Sequence, residues 1–507
     1  MKDLSTRSLL WAYLAAAGAL SPSGALASQP QESSPEVLDI GNRLELFVDR
    51  YLIEVMDGVE LELGQPQPKE KVFHFDQPWE GNTPGHIAVF RDGGIYRLYY
   101  RGSAHPDYII REELLPGEKI VPQHPKVTCY AESRDGIHWT RPSLGQVEFQ
   151  GSRDNNILDL GGVTKLNPFR DENPDAPDSA RYKGIGFYRT VPGAPPHSKE
   201  RGLIPLQSSD GVRWTWMARD PVITDGYFDS HNVAFWDSVR GHYVALYRDF
   251  AHGVRSLKYA TSKDFVEWTE GSWVDYGDAP QEHLYTNATV PYFRAPHIYV
   301  AFPKRFVPWR SPQHYDYASA TERPGLSEGV FMSSRDGLHW HRFVEAFIRP
   351  GRERRNWIHR TNFVGRGIIR SAEDEISLYV TRHYTYPSVH LRRMSLRLDG
   401  FVSVSAGYPG GEFTTRPLIF QGKNLVLNYA TSAAGSIQVE IQDAGGKPLA
   451  GFALQDSIPI WGDEIEGTAR WRRAGGRNRD QLRRLAGMTV RLRFVMTDAD
   501  LFSMRFR

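Results

Sequence analysis

Hydrophobic and polar residues alternate with a period of two along most of the chain. This alternation predicts β-strands with one buried face, whereas helical periodicity is essentially absent. The strands fall into five successive groups. These groups lie at 87–100, 182–188, 233–247, 288–302 and 368–384. The pattern therefore predicts an all-β protein.

One hairpin motif, Ser-x-Asp-x-x-x-Trp, occurs four times between these groups. The copies are 133–139, 208–214, 262–268 and 334–340. The Ser and Asp side chains can bond backbone N–H groups of a turn, and the residue after Asp must accept a positive φ. Glycine stands there in three copies, and Phe265 in the third. The four Asp residues are interpreted as turn formers, not as catalytic acids.

Repeats of this kind predict a radial architecture in which each unit is one sheet. The strand groups and hairpins predict a five-bladed β-propeller over residues 37–405, with a degenerate fifth hairpin at 391–401. From about residue 405, glycines are followed by short alternating strands. Residues 406–507 are therefore predicted to form a C-terminal β-sandwich.

The N-terminus has the pattern of an export signal. Lys2 and Arg7 precede an apolar run at 9–20, and small residues at 25–27 fit a cleavage site. We expect a signal peptide over 1–27, a flexible leader over 28–36, and a secreted or periplasmic protein. The apolar run is too short for a membrane span, and no later segment is long and apolar enough for one. The single cysteine, Cys129, excludes an internal disulfide and is interpreted as a buried small hydrophobe.

Charge and composition narrow the class of partner. The formal net charge is +1, so composition predicts no field that would attract nucleic acid. The chain has 13 Trp, 24 Tyr and 25 Phe, which provide flat surfaces for sugar rings. A carbohydrate substrate is therefore the expected partner.

Acidic residues stand just before several of the predicted inner strands. In a propeller these strands begin at one mouth of the axial funnel, so their preceding loops meet there. Cleavage of a glycosidic bond needs a proton donor and a second carboxylate. The candidate catalytic residues are Asp76, Glu80, Asp229 and Glu282. For each acid alone, an ordinary role as a hydrogen-bonded loop residue is the alternative.

The same loops also contain amides, bases and an aromatic residue. The candidate substrate-binding residues are Trp79, Asn82, His231, Asn232, Arg305, His359, Arg360 and His383. No catalytic metal or cofactor is predicted, because no tight ligand spacing such as HxxxH occurs. The turn at 462–464 is interpreted as an exposed acidic turn, with a structural Ca²⁺ site or a sugar-binding loop as the alternatives.

At these residues the chain resembles the five-bladed propeller glycoside hydrolases of families 32, 43, 68 and 130, and most of all proteins with a family 32 N-terminal-like domain. By this resemblance, Asp229 matches the acid that orients the sugar, and Glu282 matches the proton donor. The first catalytic position departs from the family 32 pattern, because Thr83 stands where an Asp nucleophile is expected. Either Glu80 or Asp76 would then supply that carboxylate, or the mechanism differs.

The combined expectation is an exported glycoside hydrolase that cleaves a poly- or oligosaccharide by paired-carboxylate chemistry. Three alternatives stay open. The first is a glycan-binding propeller without catalysis, which the residue at Thr83 suggests. The second is a family 130-like phosphorylase, in which Arg305, Arg360 and His359 would bind phosphate. The third is a sialidase-like enzyme, which needs three arginines on one face. The sugar, the linkage and the stereochemistry are not predicted.

Overall fold

The computed structural model describes residues 36–106, 114–189, 201–310, 325–472 and 482–507. The predicted signal peptide and residues 28–35 of the predicted leader lie outside these ranges. The described chain is all-β, as predicted, and no helix in it is long and apolar enough to cross a membrane. Its helical turns are the short 3-10 helices Asp178–Ala180, Arg354–Asn356, Leu454–Asp456 and Leu482–Leu485.

Sheets 1 and 2 follow a short N-terminal run of strands. The N-terminal strands are β1 (Leu38–Gly41), β2 (Glu45–Leu46), β3 (Ile53–Asp57), β4 (Val59–Leu63) and β5 (Gln67–His74). Sheet 1 consists of β6 (Gly85–Asp92), β7 (Ile95–Ala104), β8 (His124–Ser133), β9 (Trp139–Thr140) and β10 (Ile157–Leu158). Sheet 2 consists of β11 (Thr164–Arg170), β12 (Tyr182–Arg189), β13 (Arg201–Ser208) and β14 (Thr215–Trp216). Neighbouring strands within each sheet are antiparallel.

Sheets 3 and 4 repeat this meander. Sheet 3 consists of β15 (Val233–Asp237), β16 (His242–Ala251), β17 (Val254–Ser262) and β18 (Ser272–Trp273). Sheet 4 consists of β19 (His283–Leu284), β20 (Val290–Tyr292), β21 (Ala295–Ala301), β22 (Lys304–Val307), β23 (Leu326–Gly329), β24 (Met332–Ser334) and β25 (Trp340–Arg342). Its two ladders are β20-β21-β24-β25 and β19-β22-β23, because the chain breaks pairing at Phe302 and Pro303.

Sheet 5 is completed by a strand from the other end of the chain. It consists of β26 (Phe363–Val364), β27 (Ile369–Arg370), β28 (Glu375–Arg382), β29 (His390–Arg397) and the N-terminal β5. The guanidinium of Arg393 donates to Glu70 across the new ladder at 2.7 and 3.2 Å. Sheet 5 has no fourth hairpin strand of its own, which explains why the repeated motif is absent there.

Arg366, between β26 and β27, holds the first strands of the five sheets together. Its backbone pairs with Ile87 and Val89 of sheet 1. Its guanidinium donates to the carbonyl of Pro168 at 2.8 Å in sheet 2 and of Ala234 at 3.2 Å in sheet 3. A longer bond of 3.4 Å reaches Thr289 O, just before β20 of sheet 4. Arg366 therefore marks the point at which the five sheets converge.

A ten-stranded sheet combines both ends of the chain. Its later strands are β30 (Val402–Ala406), β31 (Gly411–Thr415), β32 (Leu418–Phe420), β33 (Leu425–Asp443), β35 (Asp463–Thr468) and β37 (Thr489–Phe506), while β34 (Ser457–Ile458) pairs separately with β36 (Arg470–Trp471). Its other four strands are β1 to β4. In its core, the ring of Phe413 stacks on that of Phe494 with 4.6 Å between their centroids. The ring of Phe47 packs edge-on against Phe413, with 5.5 Å between the centroids.

This pairing differs from the predicted boundary, which placed residues 37–63 in the propeller. Strand β1 pairs in parallel with β32, and β4 pairs with β30. The local pattern of these N-terminal strands predicts their burial but says nothing about partners several hundred residues away. They therefore belong with the C-terminal strands.

The four repeated hairpins have nearly identical bonds. In the first, Asp135 accepts the backbone N–H groups of Ile137 and His138, both at 2.8 Å. Ser133 accepts the N–H of Gly136 at 2.9 Å, and the indole of Trp139 donates to the Gly136 carbonyl. The bonds of the other three copies follow the same scheme. The interpretation of these Asp residues as turn formers is confirmed.

The hairpins also join neighbouring sheets. The hydroxyl of Tyr379 in sheet 5 donates to Gly136 O at 2.6 Å, and that of Tyr99 in sheet 1 donates to Gly211 O at 2.8 Å. At the third hairpin, Phe265 adopts the positive φ of 72° and packs on Phe169 of sheet 2 at 5.6 Å. The Phe265 ring thus fills the inter-sheet space that a tyrosine fills elsewhere, at the cost of a strained backbone.

Candidate functional site

A cavity of about 200 Å³ lies where the first strands of the five sheets begin. Each sheet contributes at least one side chain to it. Its basic lining residues are Arg101, Lys126, Lys165, Lys304 and Arg360, together with the imidazoles of His86 and His231. Among the described residues, Asp229 is the one carboxylate that lines the cavity. We call this cavity the axial pocket.

Irregular backbone directs two of these side chains into the axial pocket. His86 in β6 has a φ of 53°, and Lys165 in β11 has a φ of 59°. In each strand the ladder register shifts at that point, between Gly85 and Ala88 and between Thr164 and Asn167. Such bulges redirect a side chain out of the normal alternation, and left-handed residues other than glycine are strained. With Arg360, whose φ is 61°, three residues of the pocket lining have this strained conformation.

Arg101 in β7 is fixed by three neutral partners. One guanidinium nitrogen donates to Thr83 O at 2.7 Å and to the Tyr384 hydroxyl at 3.1 Å. The other lies 2.9 Å from Nε2 of His86. Because a guanidinium is always charged at neutral pH, these contacts orient a full positive charge towards the pocket without neutralising it.

Lys304 in β22 is 4% exposed and is enclosed by aromatic rings. Its ammonium lies 4.2 Å from the ring centroid of Tyr285 and 5.1 Å from that of Phe363. Cation–π contacts of this kind offset part of the free energy that an ammonium loses when it leaves water. Lys165 is likewise 4% exposed, with its ammonium 4.8 Å from the centroid of Phe187.

Asp229 lies in the loop before β15 and is half exposed, with 48% of its side chain accessible. It forms an ion pair with Arg248 of β16, whose guanidinium also donates to Tyr227 O at 3.0 and 3.1 Å. The amide of Asn232 donates to Phe228 O and Ser230 O and fixes the loop. Asp229 thus has one accessible side that faces the pocket.

The pKa shifts in the pocket all disfavour positive charge. Burial, with Arg101 and Lys126 nearby, lowers the pKa of Lys165 well below its usual value. Burial and Arg360 do the same to the pKa of Lys304. Burial, with Arg366 and Lys304 nearby, lowers the pKa of His231 to about 3. These bases compete for protons because they share one small space of low dielectric.

The structure does not bring Glu80 into the axial pocket. Glu80 is fully buried beside sheet 1 and accepts the Tyr100 hydroxyl, the Gln77 N–H and two nitrogens of Arg141. Burial raises the pKa of its carboxyl, and Arg141 opposes this effect. Asp76 is exposed and lies 3.4 Å from Arg141. Neither acid lines the axial pocket.

The two other predicted residues of this loop have structural partners. The indole of Trp79 donates to Asn156 at 2.7 Å. The amide of Asn82 donates to the carbonyl groups of His105 and Thr385, and its oxygen accepts the His105 N–H. Thr83, which departs from the family 32 pattern, has a structural role, because its carbonyl accepts a hydrogen bond from Arg101 and positions that guanidinium.

Glu282 and Arg305 lie outside the axial pocket. Glu282 pairs with Arg305 at 3.2 Å and with Arg342 at 2.8 Å, and it lines a separate cleft of about 500 Å³ that Trp273 also borders. Arg305 also pairs with Glu328 at 2.6 Å. The expected proton donor thus pairs with two arginines and lines a different cavity from Asp229.

Of the remaining predicted residues, His231 and Arg360 line the axial pocket, and Asn232 supports the loop of Asp229. His359 is buried next to Arg360 but does not line the pocket. The ring of His383 bonds Glu353 at 2.5 Å and Ser388 at 3.1 Å, also outside it. Among the described residues, no group of His, Cys, Asp or Glu is placed to hold a metal ion.

Five basic residues of the pocket were not predicted, because they do not lie in the acidic loops before the strands. The missed residues, His86, Arg101, Lys126, Lys165 and Lys304, lie within strands of the structure. A signal was present, since lysine is almost never fully buried. Lys165 interrupts an apolar run, and Lys304 follows the apolar stretch 298–303.

No protein-family model matches the chain, and neither does any curated protein sequence. Among solved structures, the chain is similar to one from the family 130 mannoside phosphorylases, whose description names glycoside hydrolases that target β-1,2 mannosidic linkages in Candida mannan. That similarity has 14% identity and a TM-score of 0.41, and covers 66% of this chain and 94% of the other.

Two further structures are similar. A family 43 arabinoxylan arabinofuranohydrolase from Bacillus subtilis has 11% identity and a TM-score of 0.38, with coverage of 85% and 97%. A glycosyl hydrolase from Bacteroides ovatus has 14% identity and a TM-score of 0.38, with coverage of 72% and 95%. All are glycoside hydrolase structures, the group that the sequence resembles. At such identities and TM-scores, the function rests on the residues of the site.

Proposed function

We propose that the protein is a glycan-active enzyme that cleaves a glycosidic bond in the axial pocket. One observation supports this most directly. A single half-exposed carboxylate, Asp229, faces a small basic cavity in which His86, Lys165 and Arg360 have strained, left-handed backbones. An accessible carboxylate of this kind can take the proton of the water that attacks a glycosidic carbon.

In this proposal the Asp229 carboxylate, which pairs with Arg248, accepts a proton from the water that attacks the anomeric carbon, and the leaving oxygen receives a proton from a second group. The paired-carboxylate mechanism expected from the sequence would need a second acid, and the lining described for the axial pocket offers none besides Asp229. The proton for the leaving oxygen would come from the ammonium of Lys126, which lines the same cavity. Burial, with Arg101 and Arg360 nearby, lowers the pKa of Lys126 and makes its ammonium a better proton donor.

The test is Asp229→Asn, with Asp210→Asn in the second hairpin as the matched control. Both variants keep the side-chain shape, and Asp210 serves only its turn. Release of reducing ends should be measured on a panel of neutral and acidic polysaccharides. We expect Asp229→Asn to lower kcat at least about 10³-fold and the control to keep activity. Unchanged circular dichroism of both variants separates loss of chemistry from loss of fold. Full activity in Asp229→Asn would exclude the axial pocket as the active site.

Phosphorolysis is the second candidate, and the basic lining favours it because phosphate prefers such groups. The two reactions differ in their need for inorganic phosphate. Turnover that requires phosphate and yields a sugar phosphate would establish the phosphorylase, whereas turnover in phosphate-free buffer would exclude it. Binding of glycans without turnover in either buffer would leave the non-catalytic glycan-binding protein.

The proposal includes the finer architecture. The five sheets would be the blades of a five-bladed β-propeller, which the contacts of Arg366 and the β5–β29 ladder support. The ten-stranded sheet would be the accompanying β-sandwich. A crystal structure or a cryo-EM map checks this arrangement, and a different number of sheets around Arg366 would contradict the count.

We also propose export, on the basis of the N-terminal sequence pattern alone. The expected mature N-terminus is Ser28. Mass spectrometry of the protein recovered from the periplasm or medium checks this. An intact N-terminus on protein confined to the cytoplasm would contradict export.

A further inference from the structure

We infer that the axial pocket binds a saccharide that carries an acidic substituent, a carboxylate or a sulfate, and that Arg101, Lys165 and Lys304 hold this substituent. This inference rests on the proposed function, since it takes the axial pocket to be a saccharide site. It adds the substrate class, which neither the sequence nor the similar structures provide.

The first reason is the imbalance of charge. Five basic side chains line the pocket, and the one acid that lines it, Asp229, already pairs with Arg248. Within the described ranges, no carboxylate forms an ion pair with Arg101, Lys165 or Lys304. Arg366, close to His231, bonds only to carbonyl groups and adds a further positive charge. The pocket is therefore strongly attractive to an anion.

The second reason is the burial of these groups. Lys165 and Lys304 are each 4% exposed, and burial of an unpaired ammonium costs several kcal/mol. The third buried lysine among the described residues has an acid, in the ion pair of Lys183 with Asp171. Lys165 and Lys304 have no such acid, so a bound ligand supplies the missing negative charge.

The third reason is the rigidity of the arrangement. Arg101 is oriented by Thr83 O and the Tyr384 hydroxyl, while Lys165 lies on a bulge with a left-handed backbone. Lys304 is enclosed by Tyr285 and Phe363. Groups held in this way lose little freedom on binding, so they favour a small oxyanion of fixed geometry. A site for neutral sugar hydroxyls needs acceptors such as carboxylates and amides, which are scarce on this lining.

The experiment compares saccharides that differ only in charge. The probes are trigalacturonate and its methyl ester, a sulfated carrageenan oligosaccharide and its desulfated form, trimannuronate and neutral mannotriose, and inorganic phosphate. Binding to the Asp229→Asn variant is measured by calorimetry, so that cleavage does not interfere. We expect at least one acidic saccharide to bind about 10-fold or more tightly than its neutral counterpart. The preference should weaken as salt rises from about 50 to about 500 mM.

Variants then assign the binding to the proposed residues. Lys165→Met and Lys304→Met should each lower the affinity for the preferred acidic saccharide at least about 10-fold, and Lys304→Arg should restore part of it. Lys423→Met is the matched control, because Lys423 is exposed and lies between β32 and β33 of the ten-stranded sheet. This variant should bind the saccharide like the parent. Thermal unfolding of every variant shows whether the fold is kept.

Three results would overturn the inference. One is equal binding of acidic and neutral members of every pair, including the case in which none binds. Another is a charge preference that survives in both lysine variants. The third is strong binding of inorganic phosphate without any preference among saccharides, which would assign the basic groups to a phosphate co-substrate.

Failure of the inference is distinguishable from failure of the proposed function. Cleavage of a neutral glycan by the parent, lost in Asp229→Asn, would keep the proposed function and refute the acidic substrate. Charge-dependent binding with no cleavage of any probe would keep the acidic ligand and refute the enzyme.

Discussion

The outer hairpins and the axial pocket differ in how their charged side chains are paired. At the hairpins, each Asp accepts two backbone N–H groups, and the same bonds recur four times. In the pocket, every sheet contributes a different residue, and buried bases outnumber the one acid. Repetition with satisfied bonds thus identifies residues that build the fold. Irregular backbone together with an excess of basic side chains instead indicates residues of a candidate site.

The largest expected effect concerns Glu80, whose bonds are saturated like those of the hairpins. Replacing it with Ala leaves the guanidinium of Arg141 without its buried partner and the Tyr100 hydroxyl without an acceptor. We expect Glu80→Ala to lower the free energy of unfolding by about 3–5 kcal/mol, measured by urea denaturation. The Arg141→Met, Glu80→Leu double variant should recover part of the loss. A stable Glu80→Ala variant that has lost only activity would move Glu80 from the fold to the site.

The next effect tests the close contact between sheets at a hairpin. A Cβ at Gly337 would lie 2.3 Å from the ring of Tyr259, and the backbone there has a φ of 88°. We expect Gly337→Ala to destabilise the protein by about 2–3 kcal/mol, since strain and overpacking add. Gly93→Ala is the matched control, because its φ is 58° but no atom lies within 4 Å. It should lose only about 1 kcal/mol. Equal losses would show that the sheets do not depend on this contact.

A change of opposite sign is expected in the axial pocket. Lys304→Met removes a buried charge and keeps the apolar chain among Tyr285 and Phe363, so the unfolding free energy should rise by about 1–2 kcal/mol. The same variant should lose the affinity for acidic saccharides. Thermal unfolding of the ligand-free proteins checks the first expectation. A destabilised variant would mean that the ammonium supports the fold.

The pH dependence of stability sharpens the same point. Burial lowers the pKa of Lys304 and Lys165 in the folded protein, so the folded state binds fewer protons than the unfolded state below about pH 10.4. By linkage, their contribution makes stability increase as pH rises through the lowered values, and it is lost as pH falls. The increase between about pH 6 and pH 9 should be smaller in Lys304→Met than in the parent. Identical profiles would contradict the lowered pKa.

The smallest effect is expected at a single hairpin acid. Asp135→Ala removes the acceptor of two exposed backbone N–H groups, which water can replace, so the loss should be about 1 kcal/mol with unchanged activity. The hydrogen bond from His138 lowers the pKa of Asp135, so its contribution is present above about pH 4 and is lost in acid. Loss of activity in this variant, with the fold kept, would break the distinction between the two regions.

The sequence predicted the repeated part of the molecule well and the unique part poorly. The hairpins are local, so the Ser, Asp, Gly and Trp of one copy specify its bonds without help from the rest of the chain. Asp229, His231 and Arg360 were found because they directly precede first strands of sheets. Arg101 and Lys304 were missed because they lie on second strands and reach the pocket only through the three-dimensional arrangement.

The strand partners of the N-terminal residues and the ion-pair partners of two acids could not be predicted from local sequence either, for the same reason. Residues 38–63 alternate as strands, but nothing in them specifies C-terminal partners. Glu80 and Glu282 had the right residue type and the right position before a strand. Their arginine partners, Arg141 and Arg342, come from distant loops and strands and neutralise them. Such distant pairing decides which cavity an acid lines, and one sequence does not display it.

The pairing of β5 with β29 has a consequence for how the molecule is made. The ion pair between Glu70 and Arg393 spans 323 residues, so β5 is synthesised long before its partner. Closing a loop of that length costs roughly 5 kcal/mol of chain entropy, and non-local contacts of this kind slow folding. Sheet 5 can therefore be completed only after nearly 400 residues of the chain have been synthesised. A circular permutant that begins at residue 75 would place β5 after β29 in the chain and shorten this loop, and it should reach the native state somewhat faster without altering the pocket.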